Sequence, residues 1–244
     1  YMLNCLFCHW LYYLFSAYHG YVRNCFLGRY RVSTISSQEA TKEVFKSGFV
    51  TLIGRPSAGK SSLLNALMGK KLAISSPTAQ TTRHRFRAVH TTDSHQIIIV
   101  DTPGVHKPHD TLGEELNTTA LKSLEGIDVA AFVLDASAPF GTGDEWVISQ
   151  LAQCSMPKLL VLSKIDLVTQ EELDLQRQRA LETGQWDGVV ALSSVTGEQI
   201  DTFIELVEQF LPAGPLWFPA DMETDQPIEV IIAEFIREKI LLTA

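Results

Sequence analysis

Cysteine is scarce in most of this 244-residue chain. Three of its four cysteines, Cys5, Cys8 and Cys25, lie in the first 32 residues, and only Cys154 lies in the remainder. A segment with a single cysteine cannot form an internal disulfide, and free cysteines are typical of reducing compartments. We therefore expect a reduced, intracellular protein.

Positive charge is also in short supply. The chain has 20 Lys and Arg against 28 Asp and Glu, which gives a net charge of −8 at pH 7. Nucleic-acid binding through phosphates needs clustered Lys and Arg, so the overall composition does not predict a general nucleic-acid binder. One local basic run remains open both as a contact for RNA or phosphate and as ordinary solvated surface. It consists of Arg83, His84, Arg85 and Arg87.

Acidic residues are missing altogether from residues 1–32, which are rich in Tyr, Cys, Phe and Leu. A transmembrane helix over Met2–Val22 would be interrupted by polar residues, and a signal peptide would carry its positive charge before the apolar part. A third interpretation, which we favour, is that the segment is foreign to the folded domain. Its Cys5–His9 sequence matches the haem-attachment pattern C-x-x-C-H and part of a zinc pattern. We interpret the match as accidental, because nothing downstream suggests a haem pocket and no second C-x-x-C follows to complete a zinc site.

From residue 48 onward, short apolar runs alternate with amphipathic stretches. Apolar runs of this length are typical of a sheet that is covered on both faces, and their alternation with helices predicts a doubly wound, mostly parallel α/β fold. The predicted strands span 49–53, 96–100, 129–134, 159–162 and 189–192. The predicted helices span 61–70, 111–125, 144–153, 169–183 and 199–211.

A candidate phosphate-binding loop follows the first predicted strand. The sequence GRPSAGKS fits G-x-x-x-x-G-K-[ST] and lies between a strand and a helix, which is the context that this motif requires. Glycines let backbone N–H groups turn around a β-phosphate, while Lys60 would reach the β- and γ-phosphates and Ser61 would bind Mg²⁺. The residues expected to bind the phosphates are Gly54, Arg55, Pro56, Ser57, Ala58, Gly59, Lys60, Ser61 and Ser62.

The sequence DTPG follows the second predicted strand. Its aspartate, Asp101, lies at a strand end, where a carboxylate can hold Mg²⁺ directly or through water. The backbone N–H of Gly104 would sense the γ-phosphate, which makes this segment a candidate switch. The nucleotide-binding residues predicted here are Asp101, Thr102, Pro103 and Gly104.

A candidate guanine-reading segment, SKID, follows the predicted strand 159–162. The Asp166 carboxylate can accept two hydrogen bonds from the imino and amino groups of guanine, and adenine lacks this donor pair. The stem of Lys164 can pack over the base, and a backbone N–H after the last strand could bind the guanine carbonyl. The predicted base-binding residues are Ser163, Lys164, Asp166, Ser193 and Ser194.

Together these motifs resemble the Era family of bacterial GTPases, which is related to the TrmE and EngA proteins. The resemblance rests on GRPSAGKSSLLNAL, AQTTRHR, DTPGVHKP, SKID and SSVTG, and it continues into AEFIREKI near the end of the sequence. It implies a Ras-like P-loop fold of about six strands that binds GTP or GDP with Mg²⁺. It also implies a role in small ribosomal subunit assembly through 16S ribosomal RNA. We expect a cytoplasmic monomer with peripheral contact to the inner face of the cell membrane.

The resemblance assigns roles to individual residues and domains. Thr82 would complete the Mg²⁺ shell when GTP is bound. Together with the phosphate-binding Lys60 and the switch residue Gly104, it makes up the set of expected catalytic residues. The expected metal ligands are Ser61, Thr82 and Asp101. The implied domains are an N-terminal extension (1–47), a GTPase domain (48–212), a linker (213–227) and the start of a KH domain (228–244).

The sequence departs from the family pattern at two motif positions. Ser163 stands where the family has Asn, which removes an amide contact to the base and to the phosphate loop, while Asp166 keeps the base specificity. Ser57 stands where relatives have an Asn that helps hold an activating potassium ion, so potassium dependence is an open question. Val105, where Ras-type enzymes position water with Gln, predicts slow intrinsic hydrolysis of about 10⁻⁴ to 10⁻² s⁻¹.

Two alternatives from other functional classes stay open at this point. A P-loop ATPase or small-molecule kinase would share the phosphate loop but not the preference for guanine. A module that binds RNA or a membrane and uses nucleotide only structurally would release no phosphate.

Overall fold

The computed structural model describes residues 44–74, 86–101, 124 and 126–243. Residues 1–32 lie outside this part of the chain, as does nearly all of the predicted helix over 111–125. Among the described helices, none is both long enough and apolar enough to pass through a membrane.

A six-stranded sheet forms the centre of the described structure. The strands are β1 (Lys46–Ile53), β2 (Phe86–Thr91), β3 (His95–Asp101), β4 (Val129–Asp135), β5 (Lys158–Ser163) and β6 (Gly188–Ala191). Their order across the sheet is β2-β3-β1-β4-β5-β6, and all neighbours are parallel except the antiparallel pair β2 and β3. The predicted doubly wound, mostly parallel sheet is therefore confirmed.

Five helices are described between and after these strands. They are α1 (Lys60–Leu67), α2 (Thr142–Leu151), α3 (Gln170–Thr183), α4 (Ile200–Phe210) and α5 (Ile228–Thr243), with a short 3₁₀ turn at Ile165–Leu167. Helix α1 ends three residues before the predicted end at 70, because the chain turns at Gly69 with a φ of 63°. A left-handed backbone of this kind is favourable only for glycine and ends a helix.

Helix α3 begins at the capping box that the sequence predicts. The Thr169 N–H donates to Glu172 Oε2 at 2.8 Å, and the Glu172 N–H donates to Thr169 Oγ1 at 3.3 Å. The helix ends before Gly184, which is not left-handed, since its φ is −134°. A side chain at Gly184 would lie 2.8 Å from the Trp186 ring and 2.9 Å from Ile148, so close packing is what requires a glycine there.

Strand β2 is the element that the sequence patterns did not predict. It has six residues and lies at the edge of the sheet, where it pairs with β3. The polar residues Thr92, Asp93 and Ser94 before β3 were a hairpin signal, and the Thr92 N–H does donate to His95 O at 2.9 Å.

Two apolar clusters cover the two faces of the sheet. On one face, α1 and α4 pack against β1, β3, β4 and β5 through residues such as Leu63, Leu64 and Phe203. On the other face, α2 and α3 pack against β4 and β5 around Phe132, whose ring stacks on Trp186 at 5.5 Å. Every residue of β3 and β4 is buried. This agrees with the uninterrupted apolar runs in the sequence and leaves the loops at the strand ends for chemistry.

The segment predicted as a linker lies along the sheet. We call residues 212–225 the strap. The Ser47 N–H donates to Pro212 O at 3.0 Å, and the Val89 N–H donates to Glu223 O at 2.9 Å. The second contact lies on β2, the edge strand, so the strap satisfies backbone groups that an edge would otherwise expose.

Gln96 holds the middle of the strap. This fully buried side chain accepts hydrogen bonds from the backbone N–H groups of Trp217 and Phe218 at 2.8 and 3.0 Å. Its amide nitrogen donates to Phe218 O at 2.9 Å and to Thr91 Oγ1 at 3.0 Å. The Gln96 amide thus makes four hydrogen bonds, and three of them hold the strap.

We expect the substitution Gln96→Ala to lower the free energy of unfolding by about 2 to 4 kcal/mol, because it removes a buried hydrogen-bond network. Equilibrium urea unfolding of the full chain measures the effect. The matched control is Gln178→Ala, which removes an exposed pair with Glu182 on α3. Equal unfolding free energies for the two variants would show that Gln96 does not hold the strap.

Candidate functional site

The carboxyl ends of the parallel strands meet at one edge of the sheet, and the phosphate loop lies there between β1 and α1. A side chain at Gly54 would lie 2.4 Å from Val133 O, so only a glycine at this position lets the loop leave β1 beside β4. Gly59, with a φ of 96°, precedes α1, and no side chain caps that helix. The first N–H groups of an uncapped helix are a suitable site for a phosphate.

Ser57 adopts a left-handed conformation in this loop, with a φ of 62°, and its side chain is exposed. Asparagine tolerates this conformation better than serine does. The backbone at this position therefore favours the Asn that the family resemblance implies for relatives.

Lys60 is the buried cation of the loop, with 6% of its surface exposed. Its ammonium donates to Gly54 O at 3.0 Å and to Arg55 O at 2.8 Å. Burial lowers the pKa of Lys60 to about 8, although the nearby Asp101 carboxylate acts in the opposite direction. A buried ammonium that is bonded only to carbonyl oxygens is suited to exchange them for phosphate oxygens.

Ser61 and Asp101 lie side by side, as the magnesium prediction requires. The Ser61 hydroxyl donates to Asp101 Oδ2 at 3.0 Å, and both residues are buried. A hydroxyl and a carboxylate are hard oxygen ligands that suit Mg²⁺, which takes few protein ligands and keeps waters and phosphate oxygens for the rest. These two residues therefore fit the predicted metal.

Ser163 connects the base-binding segment to the phosphate loop. Its hydroxyl lies 2.7 Å from Ala58 O and 3.1 Å from Leu134 O, and the residue is 1% exposed. The sequence predicted the loss of the amide contact that Asn would make to the base and to the loop. The structure shows that the Ser163 hydroxyl contacts the loop carbonyl instead.

Asp166 and Ser193 form the base-reading end of the site. The Ser193 hydroxyl donates to Asp166 Oδ1 at 2.6 Å and accepts from the backbone N–H groups of Val195 and Thr196 at 3.2 Å. Ser193 is fully buried, whereas Asp166 is exposed. The serine thus orients a carboxylate that faces solvent. Ser194 follows it in the turn after β6 and is half-buried.

Two carboxylates that the sequence analysis did not select also border the site. Asp144 of α2 pairs with Arg55 of the phosphate loop at 2.8 Å, and burial raises the pKa of Asp144 despite this partner and the Gly141 N–H. Asp135, at the end of β4, accepts from the Lys164 ammonium at 2.6 Å. The sequence could have indicated Asp135 as a site residue, because Asp135 ends a parallel strand, as Asp101 does.

Four predicted site residues are not among those that the structure describes. They are Thr82, Thr102, Pro103 and Gly104. The other predicted residues are described, and the contacts above bring the phosphate, metal and base groups to the same edge of the sheet. Pro56 and Ser62 lie in the loop and in the first turn of α1, both half-buried.

Comparison with known proteins places these residues in a family. A model of the family described as 50S ribosome-binding GTPase matches residues 49–164. GTPase Era of Alkaliphilus metalliredigens is 43% identical over 197 residues, which cover 81% of this chain and 67% of that protein. GTPase Era of Synechocystis is 42% identical over 213 residues, which cover 86% of this chain and 67% of that protein. The chain belongs to the Era family of GTPases. The resemblance found in the motifs is thereby confirmed.

Solved structures of Era share the fold of this Era-family chain. One, a crystal structure of Era with MgGDPNP and nucleotides 1506–1542 of 16S ribosomal RNA, superposes with a TM-score of 0.74 at 35% identity, covering 80% of this chain and 67% of that one. An Aquifex aeolicus Era variant bound to GDP·AlF₄⁻ gives a TM-score of 0.72 at 35% identity, with the same shares covered. The predicted Ras-like fold is confirmed.

We expect the buried Lys60 to make the stability of this Era-family chain depend on pH above 8. Between pH 8 and 10 the folded state has lost the Lys60 proton, whereas the unfolded state still holds one with a pKa near 10.5, so rising pH favours folding. The free energy of unfolding of the wild type should rise by about 2 kcal/mol relative to Lys60→Met over this range. Urea unfolding of nucleotide-free protein at several pH values measures it, and parallel pH curves for the two proteins would contradict the expectation.

Proposed function

We propose that this chain binds GTP with Mg²⁺ and hydrolyses it to GDP and phosphate, as a switch of the Era type. One observation carries the proposal: the buried Ser163 hydroxyl joins the phosphate loop to the segment that ends in Asp166. A phosphate site and a base site that share one wall suit a complete nucleotide. The same residues argue against a protein that recognises phosphate alone.

Each residue of the site would have its own role in GTP hydrolysis. Lys60 would neutralise charge on the transferred γ-phosphoryl group while water attacks it, and the loop N–H groups would hold the β-phosphate. Ser61 and Asp101 would hold Mg²⁺, directly or through water, and the ion would withdraw charge from the phosphate oxygens. Thr82 and Gly104 remain predicted partners of the γ-phosphate and, for Thr82, of the metal.

Base choice rests on Asp166. Its Oδ1 is held by Ser193 at 2.6 Å, which fixes the carboxylate plane for two parallel hydrogen bonds from guanine. Adenine presents no such donor pair. This arrangement favours a GTPase over the ATPase or kinase that shares the phosphate loop.

We further propose a role in small ribosomal subunit assembly in the cytoplasm. The support is family membership together with the crystal structure of Era bound to a 16S ribosomal RNA fragment. In that role the GTPase domain, proposed to span 48–212, acts as the nucleotide-dependent part. Peripheral membrane contact stays a prediction from the sequence.

The substitution Asp166→Asn tests base choice. An amide offers one acceptor instead of a charged pair, so affinity for GTP should fall about 100-fold while affinity for ATP stays low. Competition of each nucleotide against a fluorescent guanine nucleotide measures both, and phosphate release with GTP or ATP reports hydrolysis. Asp187→Asn is the control, because Asp187 contacts the Lys158 N–H at the other end of β5. Equal affinity of the wild type for GTP and ATP would refute the proposed specificity.

The substitution Ser57→Asn tests potassium dependence. Asparagine suits the left-handed backbone here and adds the amide oxygen that relatives are expected to use for the ion. We expect GTP hydrolysis by the variant to be about tenfold faster in potassium than in sodium chloride, whereas the wild type should not distinguish the two salts. A wild type already stimulated by potassium would show that Ser57 suffices.

A further inference from the structure

The ion pair between Asp135 and Lys164 lies beside the phosphate loop. The Lys164 ammonium donates to Asp135 Oδ2 at 2.6 Å. The two side chains are 33% and 12% exposed, for Lys164 and Asp135 respectively. A pair this sheltered is less screened by water than a surface salt bridge.

The aspartate is itself fixed in place. The Ser137 backbone N–H and hydroxyl donate to Asp135 Oδ1 at 2.9 and 2.6 Å. Burial alone would raise the pKa of Asp135, but the hydrogen bonds from Lys164 and Ser137 lower it below its usual value. Asp135 therefore presents a fixed negative charge at the carboxyl end of β4.

The lysine is directed along the wall of the site. Its backbone is left-handed, with φ 59° and ψ 38°. A side chain added at Gly59 would lie 3.9 Å from Lys164 Cε, so the lysine stem runs close to the phosphate loop. Its backbone is two residues from Asp166, the base-reading carboxylate. The apolar stem is thus held between the phosphate and base parts of the site.

From this geometry we propose that Asp135 is a positioning residue for guanine nucleotide binding: by anchoring the Lys164 ammonium it holds the lysine stem as the wall on which the base packs. A free lysine side chain samples many rotamers, and ordering it on binding costs entropy. An ammonium that is already bonded avoids most of that cost. Because Ser163 lacks an amide to contact the base, packing of the base on the lysine stem contributes a larger share of the binding free energy here.

The inference rests on the proposed function, since it concerns the same nucleotide. It differs from a purely structural role for the pair in two ways. A positioning role acts through Lys164, so it should vanish when Lys164 is replaced. It also acts on the base, so binding of pyrophosphate, which has no base, should not change.

The test is calorimetric titration of the full chain with GDP and Mg²⁺. We expect Asp135→Asn to weaken GDP binding about five- to tenfold, as for the loss of one charge-assisted hydrogen bond. In the Lys164→Met background the same substitution should change GDP affinity less than twofold. Pyrophosphate affinity should stay within twofold throughout. The control Asp187→Asn removes a carboxylate from the opposite end of β5 and should leave both affinities unchanged.

Each other outcome overturns the inference. An equal loss of GDP affinity in both Lys164 backgrounds, or a parallel loss of pyrophosphate binding, would assign Asp135 a structural role only. Unchanged GDP affinity of Asp135→Asn would remove the role while leaving the proposed GTPase intact. A wild type that binds pyrophosphate but no guanine nucleotide would contradict both the role of Asp135 and the proposed GTPase function. If Asp135→Asn does not fold, Ser137→Ala keeps the charge but loosens its anchor, and it should weaken GDP binding two- to threefold only when Lys164 is present.

Discussion

A hydrogen bond of 2.7 Å from the Ser163 hydroxyl to Ala58 O joins the two halves of the nucleotide site. It is possible because β1, β4 and β5 are neighbouring parallel strands whose carboxyl ends meet at one edge. Gly54 lets the loop after β1 pass directly beside β4. With the loop in that place, the segment after β5 lies within reach of it. The distance between phosphate and base groups is therefore set by strand pairing rather than by the loops.

Buried polar groups hold this edge of the sheet in a way that its apolar core cannot. Hydrophobic packing on both faces stabilises the sheet but does not direct individual side chains. Direction comes from polar contacts: Ser61 with Asp101, Ser193 with Asp166, and Asp135 with Lys164. Asp101 and Asp135 lie at strand ends, and their partners lie on a neighbouring helix or loop, whereas Ser193 and Asp166 join the segments that follow β6 and β5. The site is thus ordered by bonds between elements, which is what nucleotide recognition requires.

The strap gives the distal part of the chain a physical connection to the same strands. It is bonded to β2 and, through Gln96, to β3, whose last residue is Asp101. The next helix, α5, is tied to the domain by an ion pair between Lys71 and the buried Glu238. Gln96, which holds the strap, and Asp101, the predicted metal ligand, therefore lie on the same strand. A segment rich in proline and lacking periodicity in sequence is nevertheless ordered by these contacts.

The sequence by itself determined the strand and helix alternation and the phosphate loop, and it predicted Asp101 as a metal ligand and Asp166 as the residue that reads the base. These follow from local chemistry: apolar runs demand burial on both faces, and a glycine-rich turn between strand and helix exposes N–H groups. Only the tertiary structure decided the edge strand β2, the course of the strap, the contact of Ser163 with the loop and the contact of Asp135 with Lys164. The last three depend on groups between 29 and 168 residues apart in the chain, whereas β2 depends on its pairing with the next strand, β3. No local pattern encodes which distant carbonyl or carboxylate a side chain will meet, because that is fixed by strand order and packing.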